Sequence, residues 1–167
     1  MCGRTASPHS LDLVKCRVGT IVIVDFSELR ALSRRVTMVD GSFDPLHDGH
    51  VAYFRAAAEL GLPLLCNVAT DGWTRSKHRV LLPRERRMRV IDALRDVAYV
   101  HAGDRSTAEV LRELMPAIYA KGSDWRDRGG IPLIEADICR DLNIEVRYLD
   151  TVLNSSSELL RRYEADS

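Results

Sequence analysis

The feature that most constrains the fold is a regular alternation of short apolar runs with segments of helical periodicity. Strands are predicted where Val, Ile and Leu cluster, and helices where apolar residues recur every three or four positions. This pattern predicts strands at 36–39, 64–69, 97–100, 117–120 and 144–149, and helices at 50–60, from Pro83 onward, and at 106–114, 132–142 and 155–163. A short strand at 20–24 and a helix at 25–35 precede them, and 71–82 is predicted to be a polar loop.

Strands that alternate with helices indicate βαβ crossovers, which place all strands of a sheet parallel. The expected fold class is therefore α/β, a single doubly wound domain whose five-stranded parallel sheet has helices on both faces. Ligands of such folds bind beyond the carboxyl ends of the strands. The residues that directly follow each strand are the first candidates for a functional site.

Composition narrows the class of protein further. A chain of 167 residues fits one domain, which we expect over 20–167 after a loose leader at 1–19. Because 24 Lys and Arg balance 24 Asp and Glu, the overall charge does not favour binding to nucleic acid or an anionic membrane. The four cysteines are widely spaced and the early apolar run at 21–24 is too short to span a bilayer, so the sequence predicts a cytoplasmic protein.

Two histidines follow the first strand of the regular pattern. His47 and His50 are three positions apart at the start of a predicted helix, so their side chains face the same way. The free amides and the dipole of a helix N-terminus favour an anion there, and Gly41 and Gly49 leave room for a close approach. This arrangement predicts a phosphate site. A zinc pair, with a nearby aspartate as third ligand, and two surface histidines are the alternatives.

The run from Gly41 to His50, Gly-Ser-Phe-Asp-Pro-Leu-His-Asp-Gly-His, resembles the His-x-Gly-His signature of the cytidylyltransferase-like nucleotidyltransferase superfamily. Further matches follow in the order of that family: Asp71, Lys77, Arg87, Lys121-Gly-Ser-Asp-Trp125 and Ser155-Ser-Ser157. The resemblance extends over 36–163. It implies a Rossmann-like domain that transfers a nucleotidyl group from a nucleoside triphosphate to a phosphorylated small-molecule acceptor and releases pyrophosphate.

The resemblance also implies roles for individual residues. His47 and His50 would hold α- and β-phosphate oxygens, Lys77 would neutralise the attacking phosphate or the transition state, and Arg87 would bind the β- and γ-phosphates. The remaining matches would bind the nucleotide: Gly41, Ser42, Phe43, Gly49, Asp71, Lys121, Gly122, Asp124, Ser155, Ser156 and Ser157. Mg²⁺ would accompany the triphosphate with no protein ligand assigned, and related enzymes are commonly homodimers. No nucleophilic side chain is needed, because positioning and electrostatic stabilisation carry such reactions.

Three branches of the superfamily differ in nucleotide and acceptor. The Lys121–Trp125 segment resembles Lys-Gly-Gly-Asp-Tyr of bacterial heptose-phosphate adenylyltransferases, which favours ATP and a heptose 1-phosphate. Asp150-Thr-Val-Leu-Asn154 differs from the Arg-Thr-Glu-Gly-Ile of glycerol-phosphate and choline-phosphate cytidylyltransferases, which counts against CTP. Phosphopantetheine adenylyltransferases share Gly-Ser-Phe-Asp-Pro but use Thr-x-Gly-His. A nucleotide-sensing module without turnover is the non-enzymatic alternative.

Overall fold

A single parallel sheet organises the computed structural model, which describes residues 23–151 and 156–165. Within these ranges the sheet has six strands in the order β1-β4-β3-β2-β5-β6, and every neighbouring pair is parallel. The strands are β1 (Ile23–Val24), β2 (Thr37–Gly41), β3 (Leu64–Ala69), β4 (Tyr99–Gly103), β5 (Ile118–Gly122) and β6 (Glu145–Leu149). The predicted leader at 1–19 lies outside the described residues, as do 20–22 and Ser155.

The predicted α/β fold with one parallel sheet is confirmed, but the prediction of five strands was wrong. The additional strand, β1, is only two residues long and pairs with the edge of β4, with Ile23 opposite Val100 and Val24 opposite His101. The Nδ1 atom of His101 also lies 2.8 Å from the Val24 carbonyl oxygen. This strand falls within the short strand predicted at 20–24, which the count of five strands left outside the sheet because a run that short does not show which strand it pairs with.

Seven α-helices occur within the described ranges, together with a 3-10 helix at Phe26–Leu32. They are α1 (Asp48–Ala58), α2 (Asp71–Arg75), α3 (Arg84–Asp92), α4 (Thr107–Leu114), α5 (Ser123–Asp127), α6 (Leu133–Asp141) and α7 (Ser156–Ala165). No helix of the described part combines the length and apolar character needed to cross a bilayer.

Three local predictions need correction. The helix predicted at 25–35 is the 3-10 helix, because the spacing of its buried Leu29 and Leu32 suits either helix type. The predicted loop at 71–82 begins with α2, whose Thr70 side chain accepts a hydrogen bond from the Trp73 amide at 3.1 Å. Val90, predicted on the buried side of its helix, is 43 % exposed.

The sheet separates two apolar cores, because successive residues of a strand point to opposite faces. Met38 joins the core beneath the 3-10 helix, α4 and α6, whereas its neighbour Val39 joins the core beneath α1 and α3. Tyr119 and Ala120 divide between the two cores in the same way. Both faces are therefore covered, as the doubly wound prediction requires.

The strand order reverses beside β2. From β2 the chain adds β3 and then β4 on one side, and it returns to add β5 and β6 on the other side. The switch therefore lies between β2 and β5, whose last residues are Gly41 and Gly122. A crevice forms where neighbouring crossovers leave in opposite directions. Here it brings together the run from Gly41 to His50 and the Lys121–Trp125 segment, which are far apart in the sequence.

Candidate functional site

A cavity of about 590 Å³ opens at the carboxyl ends of β2 and β5. Most of the predicted site residues line it: Gly41, Ser42, Phe43, His47, Gly49, His50, Lys77, Lys121, Gly122, Asp124 and Ser156. Its size is within the range of small-molecule sites, which commonly measure about 300–1,000 Å³. The cavity therefore lies where the strand order predicts a ligand site.

The two histidines stack against each other at the start of α1. Their ring centroids are 3.8 Å apart and the ring planes are inclined by 31°. His47 is the N-cap residue, and its Nδ1 accepts a hydrogen bond from the Gly49 amide at 3.1 Å. An accepting Nδ1 carries no proton, so in the neutral ring the proton is on Nε2. His47 thus presents an N–H donor from its Nε2 side.

Phe43 holds the second histidine in place. Its ring packs edge-on against the His50 ring, with centroids 5.2 Å apart, and against Phe54. Phe43 has a φ of 52°, in the left-handed region. A Cβ on Gly41 would lie 3.0 Å from the Phe43 Cζ atom, so the glycine makes room for this ring. Phe43 therefore holds the His50 ring by packing, in addition to the nucleotide-binding role that the resemblance implies.

Three buried polar atoms beside the cavity have no hydrogen-bond partner among the described residues. They are Nε2 of His47, Nδ1 of His50 and Oγ of Ser42. Buried polar groups are nearly always paired, because an unpaired one loses its hydration without compensation. Three such atoms around one cavity at a helix N-terminus indicate a polar ligand.

Both imidazoles favour the neutral form. Burial, followed by the charge of His47, lowers the pKa of His50 to about 3. Burial also lowers the pKa of His47, although the nearby Asp48 carboxylate acts in the opposite direction. At neutral pH the pair therefore offers N–H donors without carrying positive charge.

We expect the ring resonances of His50 in the free protein to stay constant between about pH 5 and pH 8. Its pKa of about 3 lies below the ordinary value of 6.5, so a proton binds only under strongly acidic conditions. The measurement is an NMR titration of the imidazole carbon–proton correlations, with a His50→Gln variant to assign the signal. A titration midpoint between pH 6 and pH 7 would contradict this placement.

A buried ion pair forms the floor of the cavity. The Lys121 Nζ atom at the end of β5 donates to the Asp40 Oδ1 atom near the end of β2, at 2.7 Å. Asp40 also accepts from the hydroxyls of Tyr119 at 3.0 Å and Thr107 at 2.9 Å. Burial alone would raise the pKa of Asp40, but the charge and hydrogen bond of Lys121, together with the hydrogen bonds from Thr107 and Tyr119, outweigh it and lower the pKa.

The Tyr119 hydroxyl connects the floor to α6. Its oxygen lies 3.0 Å from Asp40 Oδ1 and 3.0 Å from Glu135 Oε2, and it accepts from Lys121 Nζ at 3.1 Å. One hydroxyl has a single proton and cannot donate to two carboxylates at once. Burial, followed by the charge of Asp40, raises the pKa of Glu135. Tyr119 therefore donates to one of the two carboxylates at a time, and it joins β2 to α6 through them.

Lys77 reaches the cavity from the loop that follows α2. Its ammonium lies 4.9 Å from the Trp73 ring centroid, and burial, followed by the charge of Lys121, lowers its pKa. The loop is held by Asp44, a fully buried carboxylate that accepts from the amides of Leu81 at 2.8 Å and Leu82 at 3.0 Å. Asp44 thus joins the Lys77 loop to the segment that carries the histidines.

The structure does not bring Arg87 or Asp71 into the cavity. Arg87 is 1 % exposed and its Nη2 donates to Asp71 Oδ1 at 2.6 Å and to the Ala69 carbonyl at 3.1 Å. Its Nε donates to the Leu82 carbonyl at 2.9 Å, and its Nη1 donates to the Ser42 carbonyl. Arg87 therefore connects the segments that follow β2 and β3 and is not placed to contact phosphates.

The serine segment is partly described. Ser156, the first residue of α7, lines the cavity and donates from Oγ to the Pro45 carbonyl at 3.0 Å. Ser155 and the side chain of Ser157 lie outside what the structure describes. The start of α7 is thereby held beside the loop that leads into α1.

Six lining residues were not predicted from the sequence: Asp40, Tyr53, His78, Trp125, Arg128 and Arg161. Asp40 directly precedes the run that starts at Gly41, and Trp125 is the last residue of the quoted Lys121–Trp125 segment, so the sequence contained a signal for both. The sequence contains no signal that distinguishes Arg128 and Arg161, because arginine is abundant throughout this chain.

Comparison with known proteins agrees with this geometry. The family described as Cytidylyltransferase-like matches residues 38–157, which include the histidine pair and both strands at the switch point. The chain belongs to the cytidylyltransferase-like family. It is therefore a nucleotidyltransferase, and this family implies a nucleoside triphosphate and a phosphorylated acceptor as substrates.

Proteins similar in sequence to this chain include the bifunctional protein HldE from several bacteria. The HldE of Vibrio atlanticus is 37 % identical over 114 residues, covering 64 % of this chain and 24 % of that protein. The HldE of Chromohalobacter salexigens is 35 % identical over 133 residues, covering 72 % of this chain and 28 % of that protein. The chain thus spans about a quarter of the length of these relatives.

Solved structures show the same fold at low sequence identity. A lipopolysaccharide core biosynthesis protein from Thermoplasma volcanium matches with a TM-score of 0.58 and 23 % identity, covering 70 % of this chain and 96 % of that one. A pantoate-beta-alanine ligase from Francisella tularensis matches with a TM-score of 0.51 and 10 % identity, covering 78 % and 66 %. These matches support the Rossmann-like architecture of the family.

Proposed function

We propose that this nucleotidyltransferase transfers AMP from ATP to a sugar phosphate such as a heptose 1-phosphate, forming a nucleoside diphosphate sugar and pyrophosphate. The observation that carries the proposal is the group of unpartnered polar atoms of His47, His50 and Ser42 at the N-terminus of α1. The choice of ATP and a sugar rests on the resemblance of the Lys121–Trp125 segment and on the similarity to HldE.

In this proposal the α-phosphate lies against the histidine pair. The neutral imidazoles donate N–H groups to phosphate oxygens, whose negative charge increases as the transition state forms. Donors already fixed by the Gly49 hydrogen bond and by the Phe43 ring need little reorganisation at that step. The backbone of Gly41, Ser42 and Gly122 would border the nucleoside.

The acceptor phosphate supplies the nucleophile. One of its oxygens attacks the α-phosphorus, the bond from that phosphorus to the bridging oxygen breaks, and pyrophosphate leaves with the electron pair. A phosphate monoester with a second pKa of about 6 is already mostly a dianion at neutral pH, so no general base is needed. Lys77 would hold this phosphate and offset its repulsion from the triphosphate.

The departing pyrophosphate would lie toward α7. Ser156 opens this ten-residue helix, and Arg161 from the same helix lines the cavity. A helix N-terminus and a guanidinium both stabilise negative charge. Arg87 would act indirectly, by holding the segments that carry Ser42 and Asp71.

Mg²⁺ would enter with the triphosphate. The described residues contain no group of three or more Asp, Glu, His or Cys side chains that could hold a metal. Of the two carboxylates that line the cavity, Asp40 is paired with Lys121 and Asp124 with Arg128. Phosphate oxygens and water are the usual Mg²⁺ ligands at nucleotide sites, so the ion would neutralise phosphate charge without a dedicated protein site.

A cytoplasmic location is part of the proposal. Cys66 and Cys139, the cysteines that the structure describes, are free and buried. Burial raises the pKa of both thiols, so they stay protonated and unreactive. The homodimer expected from the resemblance stays a prediction, which sedimentation velocity of the full chain would check.

The test of the proposed function is pyrophosphate release by the full chain with Mg²⁺ and either ATP or CTP. The acceptors are heptose 1-phosphate, mannose 1-phosphate, glycerol 3-phosphate and phosphopantetheine. We expect the highest kcat/KM with ATP and a sugar 1-phosphate. A preference for CTP with glycerol 3-phosphate, or for phosphopantetheine, would select another branch of the family, and no release with any pair would favour a nucleotide sensor.

A further inference from the structure

The floor of the cavity has hydrogen-bonding capacity that the protein itself does not use. The Lys121 ammonium has three N–H donors, and the described contacts account for two of them, to Asp40 and to the Tyr119 oxygen. Lys121 is 5 % exposed and lines the cavity. A buried ammonium with a remaining donor next to a cavity fits a polar ligand group.

Asp40 offers hydrogen-bond acceptors beside the Lys121 donor. A carboxylate accepts about four hydrogen bonds, and Asp40 receives two at Oδ1, from Lys121 and Tyr119, and one at Oδ2, from Thr107. Oδ2 therefore retains an accepting position. A donor and an acceptor on side chains joined at 2.7 Å match two adjacent hydroxyl groups, each of which donates and accepts.

An aromatic ring borders this polar floor. The Lys121 ammonium lies 4.5 Å from the Trp125 ring centroid, and the Arg128 guanidinium carbon lies 5.8 Å from the same centroid. Trp125 itself lines the cavity and is partly exposed. A sugar ring has a face of C–H groups that packs on an indole and a rim of hydroxyls that needs polar partners.

The direction of the proposed reaction favours this side of the cavity for the acceptor. Attack at phosphorus requires the entering and leaving oxygens to lie roughly in line, and the pyrophosphate is proposed to leave toward α7. The entering phosphate would then lie away from α7, and the proposed function assigns it to Lys77. Lys77 lines the same cavity as Lys121 and Asp40, and after burial the charge of Lys121 lowers the pKa of Lys77.

We propose that Asp40, Lys121 and Trp125 form the acceptor subsite and that this subsite selects a phosphorylated sugar with adjacent ring hydroxyls. The proposal rests on the proposed function and assigns Lys121 to the acceptor instead of the nucleotide. Glycerol 3-phosphate has no ring to pack on Trp125. The chain of phosphopantetheine presents no ring hydroxyls to the floor.

The kinetic test replaces Trp125, whose partial exposure makes the change tolerable for folding. For Trp125→Leu we expect the KM of the sugar 1-phosphate to rise about tenfold, the equivalent of about 1.4 kcal/mol of lost binding. The Kd of α,β-methylene-ATP should change less than twofold. Trp125→Phe, which keeps an aromatic face, should recover most of the affinity for the acceptor.

A binding test uses the fact that the chain has two tryptophans, Trp73 and Trp125. Trp73→Phe leaves Trp125 as the single indole and keeps an aromatic ring near Lys77. Adding mannose 1-phosphate to this variant, saturated with Mg²⁺ and α,β-methylene-ATP, should change its fluorescence at concentrations near the KM. The matched control, Trp125→Phe, retains only Trp73, which contacts Lys77 but does not line the cavity, and it should show a smaller change.

These measurements separate the two proposals. If no acceptor supports pyrophosphate release with ATP or CTP, the proposed function fails. If sugar 1-phosphates are used but Trp125→Leu weakens α,β-methylene-ATP binding and leaves the acceptor KM unchanged, the acceptor subsite is overturned and the proposed function stands. A higher kcat/KM for glycerol 3-phosphate than for sugar 1-phosphates would likewise overturn the subsite.

Discussion

Replacing His50 by alanine should lower kcat by about 10²–10³, the effect of removing one preorganised donor to a developing oxyanion. The protein should remain folded, because the ring is only partly buried and its Nδ1 has no partner to lose among the described residues. The loss should appear in kcat more than in the KM for ATP, since the donor acts on charge that develops in the transition state.

Two variants make this result specific. His50→Gln retains an N–H donor at a similar reach on a more flexible side chain, so it should recover part of the lost rate. His78→Ala removes another imidazole from the cavity lining whose Nδ1 lies 2.9 Å from the Arg79 carbonyl oxygen, and its kcat should fall less than tenfold. Pyrophosphate release gives the rates, and circular dichroism confirms folding. A kcat for His50→Ala within tenfold of the unmodified chain would remove the histidine pair from the mechanism.

The sequence predicted the position of this pair because two periodicities agree there. The strand before Gly41 and the helix after His47 are both regular, so the turn between them had to lie at one end of the sheet. Residues three apart at a helix start face the same way whatever surrounds them. The tautomer of His47 was not predictable, because it depends on the hydrogen bond that its Nδ1 accepts from the Gly49 amide.

The floor of the cavity could not be predicted from spacing. Asp40, Tyr119 and Glu135 lie on β2, β5 and α6, and their hydrogen bonds exist only because β2 and β5 are neighbours in the sheet. A linear pattern shows that each residue is near the end of an element but not which strands pair. The strand order supplies that information, and the order depends on packing across the whole chain.

Arg87 shows that a motif match does not by itself determine where a side chain lies. The resemblance implies a phosphate ligand, and a guanidinium is chemically suited to that role. In the structure its nitrogens donate instead to the carbonyls of Ser42, Ala69 and Leu82 and to the Asp71 carboxylate. Whether an arginine faces a cavity or the protein interior depends on contacts from other segments, which the motif does not contain.

Replacing Arg87 by alanine should therefore reduce the free energy of unfolding by about 3–5 kcal/mol, the usual effect of removing one partner from a buried, hydrogen-bonded charge pair. Asp71 would lose its guanidinium partner, and three carbonyls would lose their donors. Urea denaturation followed by circular dichroism measures the change. Arg86→Ala is the matched control, because Arg86 is the exposed neighbour on the same helix and its loss should change stability by less than about 0.5 kcal/mol.

Arg87→Lys separates positioning from direct phosphate binding. Lysine keeps the charge but cannot donate in several directions at once as the planar guanidinium does, so most of the stability should still be lost. A ligand of the β- and γ-phosphates would behave differently, because lysine retains an ammonium for phosphate and the unfolding free energy would hardly change. If Arg87→Ala keeps the stability of the unmodified chain and raises only the Kd of α,β-methylene-ATP, then Arg87 binds phosphate in solution and its buried hydrogen bonds do not hold the two strand-end segments together.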